Sequence, residues 1–586
     1  MFKILKHLSK KDVATAMLAI ILIACQVGLE LKMPDYMSTI TRLVQTEGSE
    51  MSEILQNGSM MLLCALGSLI SAIFVGYFIS KIASRLSMNI RKHLFYKVEE
   101  MDMEDVTNFS TSSLITRTTN DVMQIQMFIS MGAQMLIRAP MTAIWAITKI
   151  ANKNWQWSTA TAVAVVFLLI TISIVISLVM PRFKIVQKMI DRLNGVTREN
   201  LLGIRVVRAF NAEKYQEDKF DNVNDDLTNL RLFNQRAMSV MYPTISLIMY
   251  GLTLSIYFIG AHLIADSILA DKITLFSDMV VFSSYAMQVI MSFLVLSMVF
   301  MMLPRAQVSA ERINEVLDEN SKIVDGEREC GLEGEEGTVE FRNVSFKYPD
   351  AEEYLLEDIS FKAEKGQTVA FIGSTGSGKS TLINLVPRFY DVTEGKVLVD
   401  GVDVRDYKIS ALNNKIGYVP QRAVMFSGTV KSNVCFGENG KEKISDREMR
   451  KAIKTAQGKD FVEKMDKEYD SHIAQGGTNV SGGQKQRLAI ARAIARDPEI
   501  FIFDDSFSAL DYKTDAALRK ALKAQTKDAT SLIVAQRIGT IMHADQILVL
   551  DKGKCVGKGT HQELMKNCKT YQQIALSQLT KEELNV

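Results

Sequence analysis

Apolar residues are concentrated in the first half of the chain, where they form six long runs. Each run is long enough to cross a hydrocarbon core of about 30 Å as a helix. Six such runs within one half of the chain favour a membrane domain over buried helices of a soluble core. The pattern therefore predicts an all-α transmembrane domain at 1–320, with spans at 13–33, 57–80, 128–150, 157–180, 240–265 and 276–303.

Lysine and arginine are distributed unevenly among the connections between these runs. The connections after the second and fourth spans are rich in them, whereas the alternate connections hold little more than Arg42, Lys153 and Lys272. Because cytoplasmic connections carry the excess of positive charge, both termini are predicted to be cytoplasmic. The formal net charge of +2 by itself argues neither for nor against a nucleic-acid partner, and we expect none.

The two basic connections are long and keep a helical pattern instead of a Gly/Pro-rich composition. We expect each to extend its flanking helices beyond the membrane and to turn at a short segment. The predicted turns, at Phe109–Asp121 and Val196–Phe210, are candidate contact points with a soluble domain.

The second half changes to short strands and helices, which predicts an α/β domain at 337–580 behind a linker at 321–336. Residues Thr338–Phe346 alternate like a strand, and Val369–Ile372 form a short buried strand. A G-x-x-x-x-G-K-S motif follows at once, in the strand–loop–helix context that a phosphate-binding P-loop requires. The residues expected to hold the nucleotide here are Gly373, Ser374, Thr375, Gly376, Ser377, Gly378, Lys379, Ser380 and Thr381.

A second acidic motif supplies the expected metal ligand. The apolar strand Ile500–Phe503 ends in Asp504, where a carboxylate can hold the Mg²⁺ shell together with Ser380. Lys379 is expected to reach the β- and γ-phosphates. The chain is therefore predicted to be a P-loop NTPase with ATP and Mg²⁺ as cofactors.

A third motif, Val480–Gln484, precedes a helix and resembles the signature of the ATP-binding cassette (ABC) family. The resemblance covers the whole chain and implies an exporter half-transporter, with six spans fused ahead of one cassette. It implies that Tyr348 stacks on adenine and that Gln421 reaches the metal and the attacking water. It also implies that a partner cassette's ATP is contacted by Ser481, Gly482, Gly483, Gln484 and Asp511.

Two residues depart from the family pattern. Asp505 stands where the family usually has a catalytic glutamate, and Gln536 stands where it usually has the switch histidine. The aspartate is one methylene short, and a misplacement of about 1 Å can cost on the order of 10²-fold in rate. Glutamine can hydrogen-bond but cannot ionise. Both changes affect the ATP held by this chain's own P-loop.

Asp505 and Gln536 are altered, whereas the signature and Asp511 are intact. This difference favours a heterodimer with a second half-transporter, in which this chain resembles the degenerate-site subunit of bacterial multidrug-type exporters. Hydrolysis would then occur mainly at the partner's site, completed by this chain's signature. A slow homodimer and a non-transporting regulatory or sensory subunit are the alternatives. The layout best fits a plasma membrane protein, and the cargo cannot be read from the sequence.

Overall fold

The computed structural model describes residues 2–46, 48–151, 153–349, 351–525, 527–580 and 584, which form two compact units. The first unit comprises the described residues of Met1–Glu100 and Phe109–Glu319. The second comprises those of Met101–Asn108 and Asn320–Val586. Within these residues the predicted fold class is confirmed: a helical six-span domain is followed by a cassette built around β-sheets.

The described residues of the first part of the chain form helices joined by short turns. Its helices are α1 (Phe2–Leu5), α2 (Lys10–Gln45), α3 (Met51–Glu99), α4 (Met103–Phe109), α5 (Thr111–Thr116), α6 (Val122–Met127), α7 (Ala133–Ala151), α8 (Trp155–Leu202), α9 (Ile204–Ala209), α10 (Glu213–Ala265) and α11 (Leu269–Asp318). Two π-helical turns, Arg117–Asp121 and Phe128–Gly132, join α5, α6 and α7 into one rod.

Six helical stretches among the described residues are long and apolar enough to cross a membrane. They extend well past the apolar runs, because α3 alone has 49 residues and measures about 74 Å at 1.5 Å per residue. That length exceeds the hydrocarbon core of about 30 Å. The excess agrees with the expectation that the spans continue as helices beyond the membrane.

Buried polar side chains tie the long helices to one another. The indole nitrogen of Trp157 on α8 donates to the carbonyl oxygen of Ile256 on α10 at 3.1 Å. The hydroxyl of Tyr285 on α11 donates to the carbonyl oxygen of Leu31 at 2.8 Å and to Oδ1 of Asp35 at 2.6 Å, both on α2. Both rings are fully buried, so their polar atoms require partners within the bundle.

The second unit contains twelve strands among its described residues. They are β1 (Val339–Phe346), β2 (Leu356–Ala363), β3 (Thr368–Gly373), β4 (Glu394–Val399), β5 (Val402–Asp403), β6 (Ile416–Val419), β7 (Gly428–Thr429), β8 (His472–Ile473), β9 (Ile500–Asp504), β10 (Thr530–Val534), β11 (Gln546–Asp551) and β12 (Lys554–Gly559). Its helices beyond α4 are α12 (Lys379–Asn384), α13 (Ile409–Asn414), α14 (Val430–Val434), α15 (Asp446–Thr455), α16 (Lys459–Val462), α17 (Gly482–Ala495), α18 (Tyr512–Gln525), α19 (Ile538–Ile541), α20 (His561–Asn567) and α21 (Lys569–Gln578).

The central sheet has the strand order β12-β11-β3-β10-β9-β6. Strands β11, β3, β10, β9 and β6 are parallel, and β12 pairs antiparallel at the edge. A second sheet, β2-β1-β4-β5, is antiparallel. Because parallel strands end on the same edge, the segments that follow β3, β6, β9 and β10 meet there.

The stretch predicted as a linker is packed onto the cassette. The backbone nitrogen of Gly326 donates to the carbonyl oxygen of Tyr407 at 2.9 Å, and that of Arg328 donates to the carbonyl oxygen of Asp406 at 2.9 Å. These bonds satisfy backbone groups that a free linker would leave to water. Residues 321–336 therefore belong to the compact second unit.

The part of the first connection that clusters with the cassette is Met101–Asn108. It lies immediately before the predicted turn Phe109–Asp121, which belongs to the first unit, as does Val196–Phe210. The hydroxyl of Ser321 donates to Oδ2 of Asp102 at 3.0 Å, and Lys322 pairs with Glu104 at 2.5 Å. The contact predicted for Phe109–Asp121 itself stays a prediction.

Candidate nucleotide-binding site

The P-loop connects the end of β3 to the start of α12. Gly376 and Gly378 have φ angles of +82° and +90°, a left-handed conformation that favours glycine. A Cβ on Gly373 would lie 2.0 Å from the carbonyl oxygen of Leu550, so that position has no room for a side chain. The motif's three glycines therefore meet backbone requirements of a tight phosphate-binding turn.

Lys379 holds its ammonium group inside this turn. Its Nζ donates to the carbonyl oxygens of Gly373 at 3.0 Å and Ser374 at 2.7 Å, and to Oγ of Ser377 at 3.3 Å. Burial lowers the pKa of Lys379, while the carboxylates of Asp505 and Asp504 act in the opposite direction. The loop thus presents a cation at the position where a phosphate chain would lie.

The two expected magnesium ligands are in direct contact. Oγ of Ser380 donates to Oδ1 of Asp504 at 2.7 Å. Burial raises the pKa of the Asp504 carboxyl, and the neighbouring Asp505 carboxylate raises it further. Hydroxyl and carboxylate oxygens are the hard ligands that Mg²⁺ prefers, so this pair fits the ion.

Asp505 is buried and held by two amide side chains. Nε2 of Gln536 donates to its Oδ2 at 2.8 Å, and Nε2 of Gln421 donates to the same oxygen at 3.4 Å. Its φ of +45° places the backbone in the left-handed region. Burial raises the pKa of its carboxyl, opposed by hydrogen bonds from Ser508 and Gln421. The residues that depart from the family pattern are therefore bonded to each other.

A cavity of about 660 Å³ joins these groups. Its walls include the whole P-loop with Gln421, Asp505 and Gln536. In the described part of the chain, the residues that line this cavity do not include Asp504, Tyr348, Asp511 or the signature. The tertiary structure thus brings together the P-loop, the amides and Asp505, with Asp504 one contact away through Ser380.

Tyr348 lies beside the P-loop helix. Its hydroxyl is 3.1 Å from Oγ1 of Thr381. Its ring packs edge-on against Phe346 and Tyr390, with centroid distances of 5.0 and 5.3 Å. This aromatic cluster fixes the ring next to the predicted phosphate site.

The signature forms the capped start of α17. The hydroxyl of Ser481 accepts from the backbone nitrogen of Gln484 at 3.3 Å, and the Gln484 side chain accepts from the backbone nitrogen of Ser481 at 2.8 Å. Ser481 and Gly482 are exposed, and a Cβ built on Gly482 would meet nothing within 4 Å. A helix N-terminus of this kind attracts anions.

Asp511 is also exposed and lies just before α18. Its Oδ1 accepts from the backbone nitrogen of Thr514 at 2.9 Å. Hydrogen bonds from the side chain and the backbone of Thr514 lower the pKa of its carboxyl. Like the signature, Asp511 is absent from the described lining of this chain's own P-loop cavity.

One face of the last helix, α21, also lines the cavity, although no sequence motif predicted it. The residues of this helix that line the cavity are Thr570, Gln573, Ile574, Ser577 and Gln578. Their i, i+3, i+4, i+7, i+8 spacing is that of one helical face and could have indicated a buried or binding stripe. Gln578 also bonds residues 536–538, which we call the switch segment. Its Nε2 donates to the carbonyl oxygen of Gln536 at 2.8 Å, and its Oε1 accepts from the backbone nitrogen of Ile538 at 2.9 Å.

Comparisons with known protein families match both units. The ABC transporter transmembrane region matches residues 16–293, and the ABC transporter family matches residues 356–508. An uncharacterized ABC transporter ATP-binding protein of Mycobacterium tuberculosis is 37% identical over 93% of this chain and 93% of its own length. YfiB of Bacillus subtilis, described in the same words, is 34% identical over 90% of each chain.

A relative with a stated activity is more distant. The ATP-dependent lipid A-core flippase of Pseudomonas aeruginosa is 32% identical over 84% of this chain and 80% of its own length. Among solved structures, a bacterial Atm1-family ABC exporter with ATP bound superposes with a TM-score of 0.79. It is 22% identical to this chain, and the match covers 96% of this chain and 97% of that exporter. The similarity is therefore one of fold.

Proposed function

Because this chain belongs to the ABC transporter family, as an exporter half-transporter that uses ATP to drive transport, we propose that it works in a heterodimer and holds the degenerate ATP site. A second half-transporter completes the pair. Hydrolysis occurs mainly at the partner's P-loop, against the signature of this chain.

The observation that carries the proposal is the contact between Gln536 and Asp505. A general base must be free to hydrogen-bond the water that it orients. Oδ2 of Asp505 instead accepts from two amides, at 2.8 Å from Gln536 and 3.4 Å from Gln421. Neither amide can take up a proton, so this arrangement binds nucleotide but activates water poorly.

ATP binding itself is supported by the unaltered parts of the site. The P-loop backbone wraps the phosphates, Lys379 neutralises their charge, and Tyr348 gives the base an aromatic face. Mg²⁺, when bound, would offset the negative charge of the phosphates. Ser380 and Asp504 would hold that ion, with Gln421 beside them.

The dimer is supported by the position of the signature. Ser481 and Gly482 are exposed at the N-terminus of α17, outside the cavity of this chain's own P-loop. Positive dipole and free backbone N–H groups at a helix start favour phosphate. We propose that they contact the ATP of the opposite cassette, together with Gln484, Gly483 and Asp511.

Transport follows from a difference in ATP affinity between two states. ATP binds the closed pair of cassettes better than the open one, so binding shifts the population toward closure. The membrane helices then turn the cargo path outward, and hydrolysis at the partner's site reverses the change. With both termini in the cytoplasm, the direction is export across the plasma membrane.

The cargo is a small molecule, a lipid or a peptide. The relatives called lipid A-core flippases favour a lipid-like cargo, since they match 84% of this chain at 32% identity. A slow homodimeric exporter and a non-transporting regulatory subunit remain the two alternatives, and the intact signature argues against the second.

The test compares the ATPase rate of the purified chain alone with the rate of the chain plus the product of a neighbouring half-transporter gene, both in lipid. We expect the chain alone to be nearly inert and the pair to be active. A rate for the chain alone that matches that of the pair would instead establish the homodimer. An inactive P-loop lysine variant of each chain, Lys379→Ala here, assigns the measured turnover to one site.

A further inference from the structure

The first unit contains a cavity of about 620 Å³ with an ion pair in its wall. Glu30 on α2 and Arg138 on α7 supply the two charges, at residues predicted to lie within membrane spans. Charged side chains at membrane depth are costly, and those that persist usually face a cavity and serve function. The chemistry of this pair therefore bears on what the cavity holds.

Glu30 is saturated with donors. Its Oε1 accepts from Nε2 of Gln26 at 3.0 Å, from Oγ of Ser68 at 3.1 Å and from Nη2 of Arg138 at 2.9 Å. Its Oε2 accepts a second bond from Nη2 of Arg138, also at 2.9 Å. The carboxylate thus has little capacity left for a ligand and serves to neutralise the guanidinium.

Arg138, by contrast, uses one of its three nitrogens in these bonds. Among the described residues, its Nε and Nη1 groups have no acceptor, and 42% of its side chain is exposed toward the cavity. The side-chain amide of Gln134, one helical turn earlier, also has no partner in the described part of the chain. Two side chains, Arg138 and Gln134, therefore keep hydrogen-bonding groups available to a ligand.

The charge of the lining is balanced. Glu30 and Arg138 are the two charged residues among those that line the cavity, so its formal net charge is zero. Glu30 already neutralises the guanidinium, so a net anion would bring a negative charge that no other residue of the described lining offsets. The rest of the wall combines apolar and polar side chains. The apolar ones are Met33, Ala65, Met131, Met135, Ala139, Met291 and Val295, and the polar ones are Ser68, Ser130, Gln134, Thr142, Gln288 and Ser292. The flexible methionines make the apolar part adaptable.

We propose that this cavity binds a membrane amphiphile whose polar group has no net charge, either zwitterionic or non-ionic. Oxygen acceptors of the polar group bond to Arg138 and Gln134, and the apolar part lies against the methionines. This inference rests on the proposed export function and narrows its cargo to lipid-like molecules without net charge.

The experiment measures binding of tail-labelled lipids to the full-length protein, paired with its partner chain, by fluorescence anisotropy in detergent. The three probes share one acyl composition: phosphatidylcholine, a monoglucosyl diacylglycerol and phosphatidylglycerol. We expect the first two to bind about tenfold more tightly than the anionic lipid, a difference of about 1.4 kcal/mol.

Three variants separate charge from structure. Glu30→Gln keeps the shape, leaves Arg138 unpaired and should shift the preference to phosphatidylglycerol by about tenfold. The double change Glu30→Gln with Arg138→Gln removes both charges together, so neither charge is left without its partner, and should weaken binding of all three probes. Asp218→Asn breaks the exposed ion pair with Lys214 on α10 and is the control that should change nothing.

A wild-type preference for phosphatidylglycerol, or an unchanged preference in Glu30→Gln, overturns the inference, as does failure to bind any probe. The ATPase rate of the same preparations without probe separates this failure from that of the proposed function. An active pair that binds no probe refutes the amphiphile alone. An inactive pair refutes the degenerate-site heterodimer.

Discussion

The side-chain amide of Gln536 donates a hydrogen bond of 2.8 Å to Oδ2 of Asp505. The two residues lie 31 positions apart and follow neighbouring parallel strands, β10 and β9, whose carboxyl ends share one edge of the sheet. Under the proposed function, a carboxylate that is bonded in this way stabilises the site and orients a water molecule poorly. The following predictions start from this contact and extend to the rest of the cassette.

Asp505→Glu should increase hydrolysis of the ATP held by this chain. The added methylene carries the carboxylate past the Gln536 amide toward the phosphate, which can recover about 10- to 100-fold in rate. Single-turnover conversion of ATP at this site measures the change, with the partner's P-loop lysine replaced by alanine. Asp528→Glu, an exposed change of the same kind, is the control. An unchanged rate would mean that chain length at position 505 does not limit hydrolysis.

Ser481→Ala should lower the ATPase rate of the pair while leaving ATP affinity at this chain's own site unchanged. The matched control is Ser445→Ala, because both serines cap a helix with the same reciprocal bonds. Each loses about 1 kcal/mol of helix capping, so the two variants should unfold alike. Equal ATPase rates for the two would contradict a role for the signature at the partner's ATP and favour a regulatory subunit.

As the pH falls, the magnesium-dependent part of ATP binding should weaken at a higher pH than it would if an exposed aspartate held the ion. Burial raises the pKa of Asp504 from its ordinary value of 3.8, so the folded protein takes up this proton earlier as the pH falls. The protonated carboxyl is a poor ligand for Mg²⁺. ATP affinity measured from pH 7.5 to 5, with Mg²⁺ and with a chelator, tests this, and parallel curves would count against it.

Tyr348→Ala should weaken ATP binding by about tenfold, the scale of losing one aromatic stacking partner. Tyr348→Phe keeps the ring and removes the hydroxyl that lies 3.1 Å from Thr381, so it should retain most of the affinity. Equilibrium binding of a fluorescent ATP analogue measures both. Tyr354→Ala, which removes a nearby ring hydrogen-bonded to Glu394, is the control and should bind normally.

Gln578→Leu should loosen the switch segment without unfolding the cassette. It removes the bonds to the carbonyl oxygen of Gln536 and the backbone nitrogen of Ile538, and each such bond contributes about 1 kcal/mol. Hydrogen exchange at the Ile538 amide should accelerate severalfold. Gln572→Leu on the same helix, which instead bonds the carbonyl oxygen of Met565, should leave that amide unchanged. Equal exchange rates at the Ile538 amide in both variants would show that Gln578 does not position this segment.

Local patterns in the sequence were sufficient for the fold class and for the P-loop. Continuous apolar runs require helices in a membrane, because no water is present to satisfy the backbone. The glycines at 376 and 378 were recognisable because a left-handed turn accepts few other residues. The contacts predicted at Phe109–Asp121 and Val196–Phe210 stay predictions, since helical periodicity does not state where a chain meets another domain.

What the sequence determined by itself is therefore the set of elements and the chemistry of motifs whose members are adjacent in the chain. Tertiary structure decided which distant groups meet: Gln536 with Asp505, Gln578 with the switch, and Arg138 with Glu30 across 108 residues. Such pairs depend on strand order and helix packing, which arise from the summed burial of many side chains. No single residue encodes that sum, and so the ion pair in the membrane cavity and the amide-bound carboxylate became visible only in the folded chain.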